Sequence, residues 1–158
     1  MKTYDLVIVG GGVCGMTAAV YAARASLSAC ILEKDVCGGL VNWTHTVENF
    51  PSHKSIHGMD LMSLCREQVE ELGVSIEEVE DVERVDFSGA EKRLFTSSGE
   101  EYTAGAVIVL PDANPVLCRY RHHSNACIIV LSATVQPTGE RTSLSSVAAT
   151  AVSTSRCI

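Results

Sequence analysis

Gly10, Gly12 and Gly15 form a G-x-G-x-x-G, and Glu33 stands eighteen residues beyond the last of them. Glycines at this spacing suit a pyrophosphate. The first permits a tight turn, the second lets backbone approach the phosphates, and the third lets helix and strand pack closely. A helix starting behind them presents free N–H groups and a partial positive charge to the anion. An acid about twenty residues on can hydrogen-bond a ribose hydroxyl. Glycines also mark ordinary tight turns, so the weight of the motif rests on the elements around it.

Those elements are legible. Leu6, Val7, Ile8 and Val9 make a short apolar run, the signature of a strand buried on both faces. Behind the glycines, Met16, Ala19, Val20 and Ala23 recur at i, i+3, i+4 and i+7, one apolar face of a helix. Ala29, Cys30, Ile31 and Leu32 then read as a second strand ending at Glu33. Strand, glycine turn, helix and acid-tipped strand follow in the order that an adenine dinucleotide site needs. The alternative is a nucleotide-free α/β unit with a solvated Glu33.

Residues 34–57 are polar and too long for a simple connection, which marks either a functional loop or a flexible surface one. Gly38 and Gly39 within it suit backbone lying against something flat or large. Residues 59–72 read as a helix with the stripe Leu61, Leu64, Cys65, Val69 and Leu72, closed by Gly73 at the C′ position. Glu67, Glu70 and Glu71 form its solvated face. Val74, Ser75 and Ile76 read as a third parallel strand. Short alternating stretches follow at 82–87, 93–96 and 101–103, separated by Ser-Gly turns, and predict an antiparallel meander. Residues 106–110 return to the sheet. The fold class is therefore α/β, a doubly wound Rossmann-like domain with an antiparallel β meander.

A chain of 158 residues suits one domain, and 46% hydrophobic with 20% charged residues is ordinary for a soluble protein. No apolar run approaches the ~18 residues of a membrane span. Asp5 interrupts the N-terminus, which does not read as a signal peptide, so the cytoplasm is the expected address. A net charge of −7 without a basic cluster argues against nucleic acid. The seven cysteines include no C-x-x-C, and Cys14, Cys30 and Cys65 fall where a free thiol behaves as a small hydrophobe. In Cys14 we read a small residue of the glycine turn. The five histidines lack ligand spacing, so no metal is expected.

In order, G-G-G-V-C-G, Glu33, Gly38-Gly39, T-V-E-N-F-P (46–51) and the helix opening Gly58-Met59-Asp60 resemble the FAD domain of low-molecular-weight thioredoxin reductases, in the pyridine nucleotide-disulfide oxidoreductase superfamily. The resemblance covers residues 1 to about 109, and T-V-E-N-F-P behind G-G is its most discriminating part. It implies that Gly10, Gly12 and Gly15 hold the FAD pyrophosphate and Glu33 the adenosine ribose. Lys34, Gly39 and Asn49 would line the flavin side, and Val82 would touch adenine through its backbone. One departure is Leu40-Val41, where many relatives carry Gln-Leu. In the intact family NADPH reduces FAD, FAD reduces a Cys pair, and the dithiol reduces a thioredoxin-like disulfide. The resemblance also suggests a homodimer.

The resemblance stops where the family carries A-T-G-A, later followed by C-A-x-C-D-G and a second glycine fingerprint, G-G-G-D, for NADPH. Here Val109 is followed by Leu110-Pro111-Asp112, and residues 111–158 are dense in Ser, Thr, Ala and Val. We expect residues 1–110 to be the FAD-binding domain, and 111–158 an irregular or weakly stranded tail without a domain of its own. Read one base over, codons 109–112 permit Ala-Thr-Gly and codons 129–135 permit Cys-Ala-Val-Cys-Asp-Gly. Codons 141–150 permit Asp-Val-Ala-Val-Val-Gly-Gly-Gly-Asp. A one-base shift near codon 109 of a reductase gene would produce this tail, and gene bases that disallow the two Cys triplets would refute it. The chain is then a cofactor half without catalytic residues, inactive alone, with NADPH used only in the intact family. The alternatives are a non-catalytic FAD- or nucleotide-binding module and a ferredoxin–NADP reductase-like flavoenzyme without the Cys pair.

Overall fold

The computed structural model describes residues 1–110 together with the strand segments Ile128–Val130, Ser132–Ala133 and Val147–Ala148. The expected irregular tail and the shifted-frame motifs fall, apart from those three segments, outside the described residues. In chain order the elements are β1 (Lys2–Val9), α1 (Val13–Arg24), β2 (Ala29–Glu33), a 3-10 turn (Gly39–Trp43) and α2 (Gly58–Glu71). They continue with β3 (Ser75–Glu78), β4 (Val82–Asp86), β5 (Lys92–Thr96) and β6 (Glu101–Val109). The three later segments are β7, β8 and β9, of which β8 and β9 pair with each other.

The main sheet runs β3-β2-β1-β6-β5-β4. β3, β2, β1 and β6 are mutually parallel, while β5 and β4 turn antiparallel. Both apolar strands fill two cores by alternation. Leu6, Ile8, Ala29 and Ile31 face Met16, Ala19 and Ala22 of α1 and Met62 and Val69 of α2. Val7, Cys30 and Leu32 face the opposite way, against Val82, Val85, Phe87 and Leu94. The sheet thus presents the carboxyl ends of β1 and β2 at one edge, where Gly10 and Glu33 sit.

Two expectations are corrected. Residues 101–103 and 106–110 do not form two elements but the single strand β6. It pairs with β1 from Lys2↔Tyr102 to Val9↔Val109, and its first half also pairs with β5. Thr103, Ala104, Gly105 and Ala106 are small enough to continue the pleat, and Gly105 passes beside the Asp5 carbonyl. The meander is therefore the far half of one sheet. The second correction concerns α2, whose buried residues are Gly58, Leu61, Met62 and Val69. Leu64 and Leu72 keep 49% and 43% of their surface exposed. The helix is rotated so that Met62 enters the core, and Leu64 instead lines a groove against Met16 and Val20 of α1.

Between β3 and β4, Val79 adopts φ 61° and is 73% exposed. A β-branched residue in the left-handed region is strained, and little packing offsets it here. Val79→Gly is expected to raise stability by about 1 kcal/mol, the left-handed penalty less the entropy of an added glycine. A urea melt showing Val79→Gly less stable than the parent would refute the strain.

Candidate dinucleotide-binding site

Gly10 closes β1 with φ 112° and donates its N–H to Leu32 O at 2.9 Å, tying the turn to β2. A Cβ on Gly10 would lie 2.6 Å from Leu110 O, and one on Gly15 would fall on the Gly10 carbonyl. Gly12 differs. Its backbone, at φ −76° and ψ −175°, is open to any residue, and among the described residues a Cβ there would meet nothing within 4 Å. The fold thus requires glycine at 10 and 15, while none of the described residues packs where a side chain at 12 would stand. α1 begins at that open side with a glycine, which has no side chain to cap the helix, as its N-cap residue and with no acid in its first turn. Such an end suits an anion.

Glu33 ends β2 beside this turn and is only 9% exposed. Its Oε2 accepts the Gly11 N–H at 2.7 Å and its Oε1 accepts the Asp35 N–H at 3.1 Å. A carboxylate has about four lone-pair positions, so two backbone bonds orient it and leave capacity for a ligand hydroxyl. The loop after β2 folds back on the turn: the Gly38 N–H donates to Gly11 O at 2.9 Å, and Cys37 Sγ lies 2.5 Å from the place of a Gly11 Cβ. Burial pushes the Cys37 thiol up to about 12, with the charges of Glu78 and Glu33 adding to it. It fills space; it is no nucleophile at neutral pH.

The expected site residues divide accordingly. Gly10, Gly12, Gly15 and Glu33 converge on the turn. Gly39 opens the 3-10 turn directly after Gly38, whose N–H holds the loop to Gly11. Lys34 is exposed and follows Glu33. Val82 buries its side chain in the core, and Glu80 N–H, donating to Glu33 O at 2.9 Å, brings the chain before β4 up to the acid. Asn49 is not drawn into this set; it stands exposed on a loop closed by the backbone bonds of Val47 and Ile56 at 2.8 and 3.0 Å. The sequence reading missed Gly11, Cys37 and Glu78. Gly11 occupies a variable position of the motif, and the other two reach the turn only through folding. Their one signal was the Gly38-Gly39 pair, whose backbone neighbour proves to be the glycine turn.

The model of the pyridine nucleotide-disulphide oxidoreductase family matches residues 4–122. The chain belongs to that family. Among the family's curated proteins, the thioredoxin reductase of Bacillus subtilis is 38% identical over 112 residues, 71% of this chain and 35% of that one. A 34.2 kDa protein in the rubredoxin operon of Clostridium pasteurianum is 42% identical over 95 residues, 60% of this chain and 31% of the other. The crystal structure of Lactococcus lactis thioredoxin reductase superposes with a TM-score of 0.66 at 36% identity, covering 70% of this chain and 36% of that one. The family's Rossmann-like α/β domain, expected from the motifs, is thus the fold found here. The chain spans about a third of the length of the relatives it matches. Among the described residues no helix is long and apolar enough to cross a membrane.

Proposed function

We propose that residues 1–110 are the FAD-binding half of a thioredoxin-reductase-type flavoprotein and that this chain alone does not turn over a disulfide. The observation that supports this reading most is the contrast at the glycine turn: positions 10 and 15 are closed by the protein, while position 12, the glycine that starts α1, is open among the described residues. FAD fits this donor set. The first-turn N–H groups of α1 would bind the pyrophosphate oxygens, and Glu33 would accept a ribose hydroxyl. Lys34, Gly39 and Asn49 are proposed on the flavin side and the Val82 backbone at adenine. When bound, FAD supplies the electron transfer between nicotinamide and disulfide; the protein supplies binding and orientation. NADPH, a thioredoxin-like substrate, a homodimer and a cytoplasmic address are carried over from the family as proposals. So are the boundary at residue 110 and the shifted frame beyond it. The 158 residues contain no C-x-x-C to act as the dithiol.

The test is to mix the purified chain with FAD, remove free flavin, and record the bound flavin spectrum and NADPH consumption. We expect about one flavin per chain and no sustained NADPH oxidation. Steady oxidation would overturn the inactivity and favour the ferredoxin–NADP reductase-like alternative. A protein that retains no flavin at any concentration would overturn the FAD assignment.

A further inference from the structure

The turn that carries the site is held from outside the glycine motif. Glu78 closes β3 directly opposite Glu33 in the parallel register. Its Oε1 accepts the backbone N–H of Cys37 at 2.8 Å and the Arg66 Nη1 donor at 2.8 Å. Arg66 lies on α2, where its Nε also donates to Glu70 Oε1 at 2.8 Å, so the guanidinium is fixed from two sides. Burial opposes ionisation of Glu78, but the Cys37 N–H and Arg66 outweigh it and hold its carboxyl below the usual range. From Cys37 the connection continues without a gap. The Cys37 thiol packs on Gly11, the Gly38 N–H bonds Gly11 O, and the Gly11 N–H bonds Glu33. Helix α2, strand β3, the returning loop, the glycine turn and the ribose-facing acid form one hydrogen-bonded series.

We infer that Arg66 and Glu78 are positioning residues that latch the loop 35–38 onto Gly11 and thereby set how long the site retains its dinucleotide. Neither contributes to either apolar core. α2 is anchored independently by Leu61, Met62 and Val69, and β3 by its pairing with β2. An ion pair this exposed contributes little to global stability. What it controls is a local opening, which can shift without the global transition moving. If the latch opens, Cys37 lifts from Gly11, the Gly38 bond to the turn breaks, and the Glu33 carboxylate loses the Asp35 N–H, one of the two donors that orient it. Cys37 is thus a built-in reporter, since its thiol reaches solvent only when the loop lifts.

The effect on retention rests on the dinucleotide reading; the loop opening does not. In the full chain, Glu78→Ala, Glu78→Gln and a control on the exposed face of α2, Glu67→Ala, are compared for three properties. These are the alkylation rate of Cys37, followed by peptide mass, the rate of FAD release on dilution, and the urea midpoint. For Glu78→Ala we expect Cys37 alkylation and FAD release each at least tenfold faster, with the urea midpoint unchanged. Glu78→Gln keeps an acceptor for the Cys37 N–H and should fall between, and Glu67→Ala should match the parent. Parental Cys37 reactivity in Glu78→Ala overturns the latch. So does a fall in urea midpoint with the buried Cys30 exposed alongside Cys37, because the role would then be general stability. If the parent chain binds no FAD, the functional proposal fails, and the alkylation rates still decide the latch.

Discussion

Gly15→Ala is expected to remove a large share of the domain's stability. The new Cβ falls on the carbonyl oxygen of Gly10, with Leu110 Cδ1 at 3.3 Å behind it. A flexible side chain could swing away, but a carbonyl in a tight turn cannot. Gly10 is itself held by φ 112° and by its bond to Leu32 O, and Leu110 O stands where any side chain at position 10 would have to go. Relief therefore requires parting α1 from β1, and with it Met16 and Ala19 from Ile8 and Ile31. A displacement of that kind belongs with the large losses, about 4 kcal/mol or more. Small domains hold only about 5–15 kcal/mol in total, so a loss of this size removes a large share of the stability and brings a domain at the low end of that range to the edge of unfolding. Gly73→Ala is the comparison: it also has φ above zero, at 79°, but lies in open space and should cost only about 1–2 kcal/mol. Urea melts followed by circular dichroism separate the two. A Gly15→Ala protein as stable as Gly73→Ala would mean the turn is not packed as described.

The parts of the fold that could be read from sequence are those decided by neighbours along the chain. Leu6 to Val9 followed by three glycines needs no tertiary information, because a buried strand, a turn and a helix start are each local. The same holds for Glu33, whose distance from Gly15 is a matter of helix and strand length. Leu64 and Leu72 were misjudged because an amphipathic pattern defines a stripe, and the roll of the helix about its axis is set by what it meets. Here Met62, more adaptable than Leu, meets the core of α1 and the sheet. The unity of β6 was hidden for a related reason: Gly105 reads as an interruption until β1 is laid beside it. Glu78 is the clearest case. On its own it is one acid among Glu77, Glu78 and Glu80, and only the register of β3 on β2 aims it at Cys37.

Gly12 separates the demands of the fold from those of a ligand, and substitution there should move stability and binding in opposite directions. Gly12 is the N-cap of α1, its backbone conformation is ordinary, and among the described residues nothing lies within 4 Å of a Cβ. An Asp is a better N-cap than glycine by a few tenths of a kcal/mol, and its charge suits the helix dipole. Gly12→Asp is therefore expected to melt at or slightly above the parental temperature. The same carboxylate would stand where the pyrophosphate is proposed to lie. At about 4 Å and an effective dielectric near 20, two unit charges repel by about 4 kcal/mol, a loss of roughly a thousandfold in affinity. Gly12→Ala adds bulk without charge and should lose about tenfold, the effect of roughly 1.4 kcal/mol. Flavin titrations beside thermal melts of the three proteins read both quantities. If Gly12→Asp keeps FAD within threefold of the parent, the phosphates do not approach this face and the functional assignment loses its main support. If Gly12→Asp instead unfolds, position 12 belongs to the fold, and its open side no longer distinguishes a binding surface from a packing one.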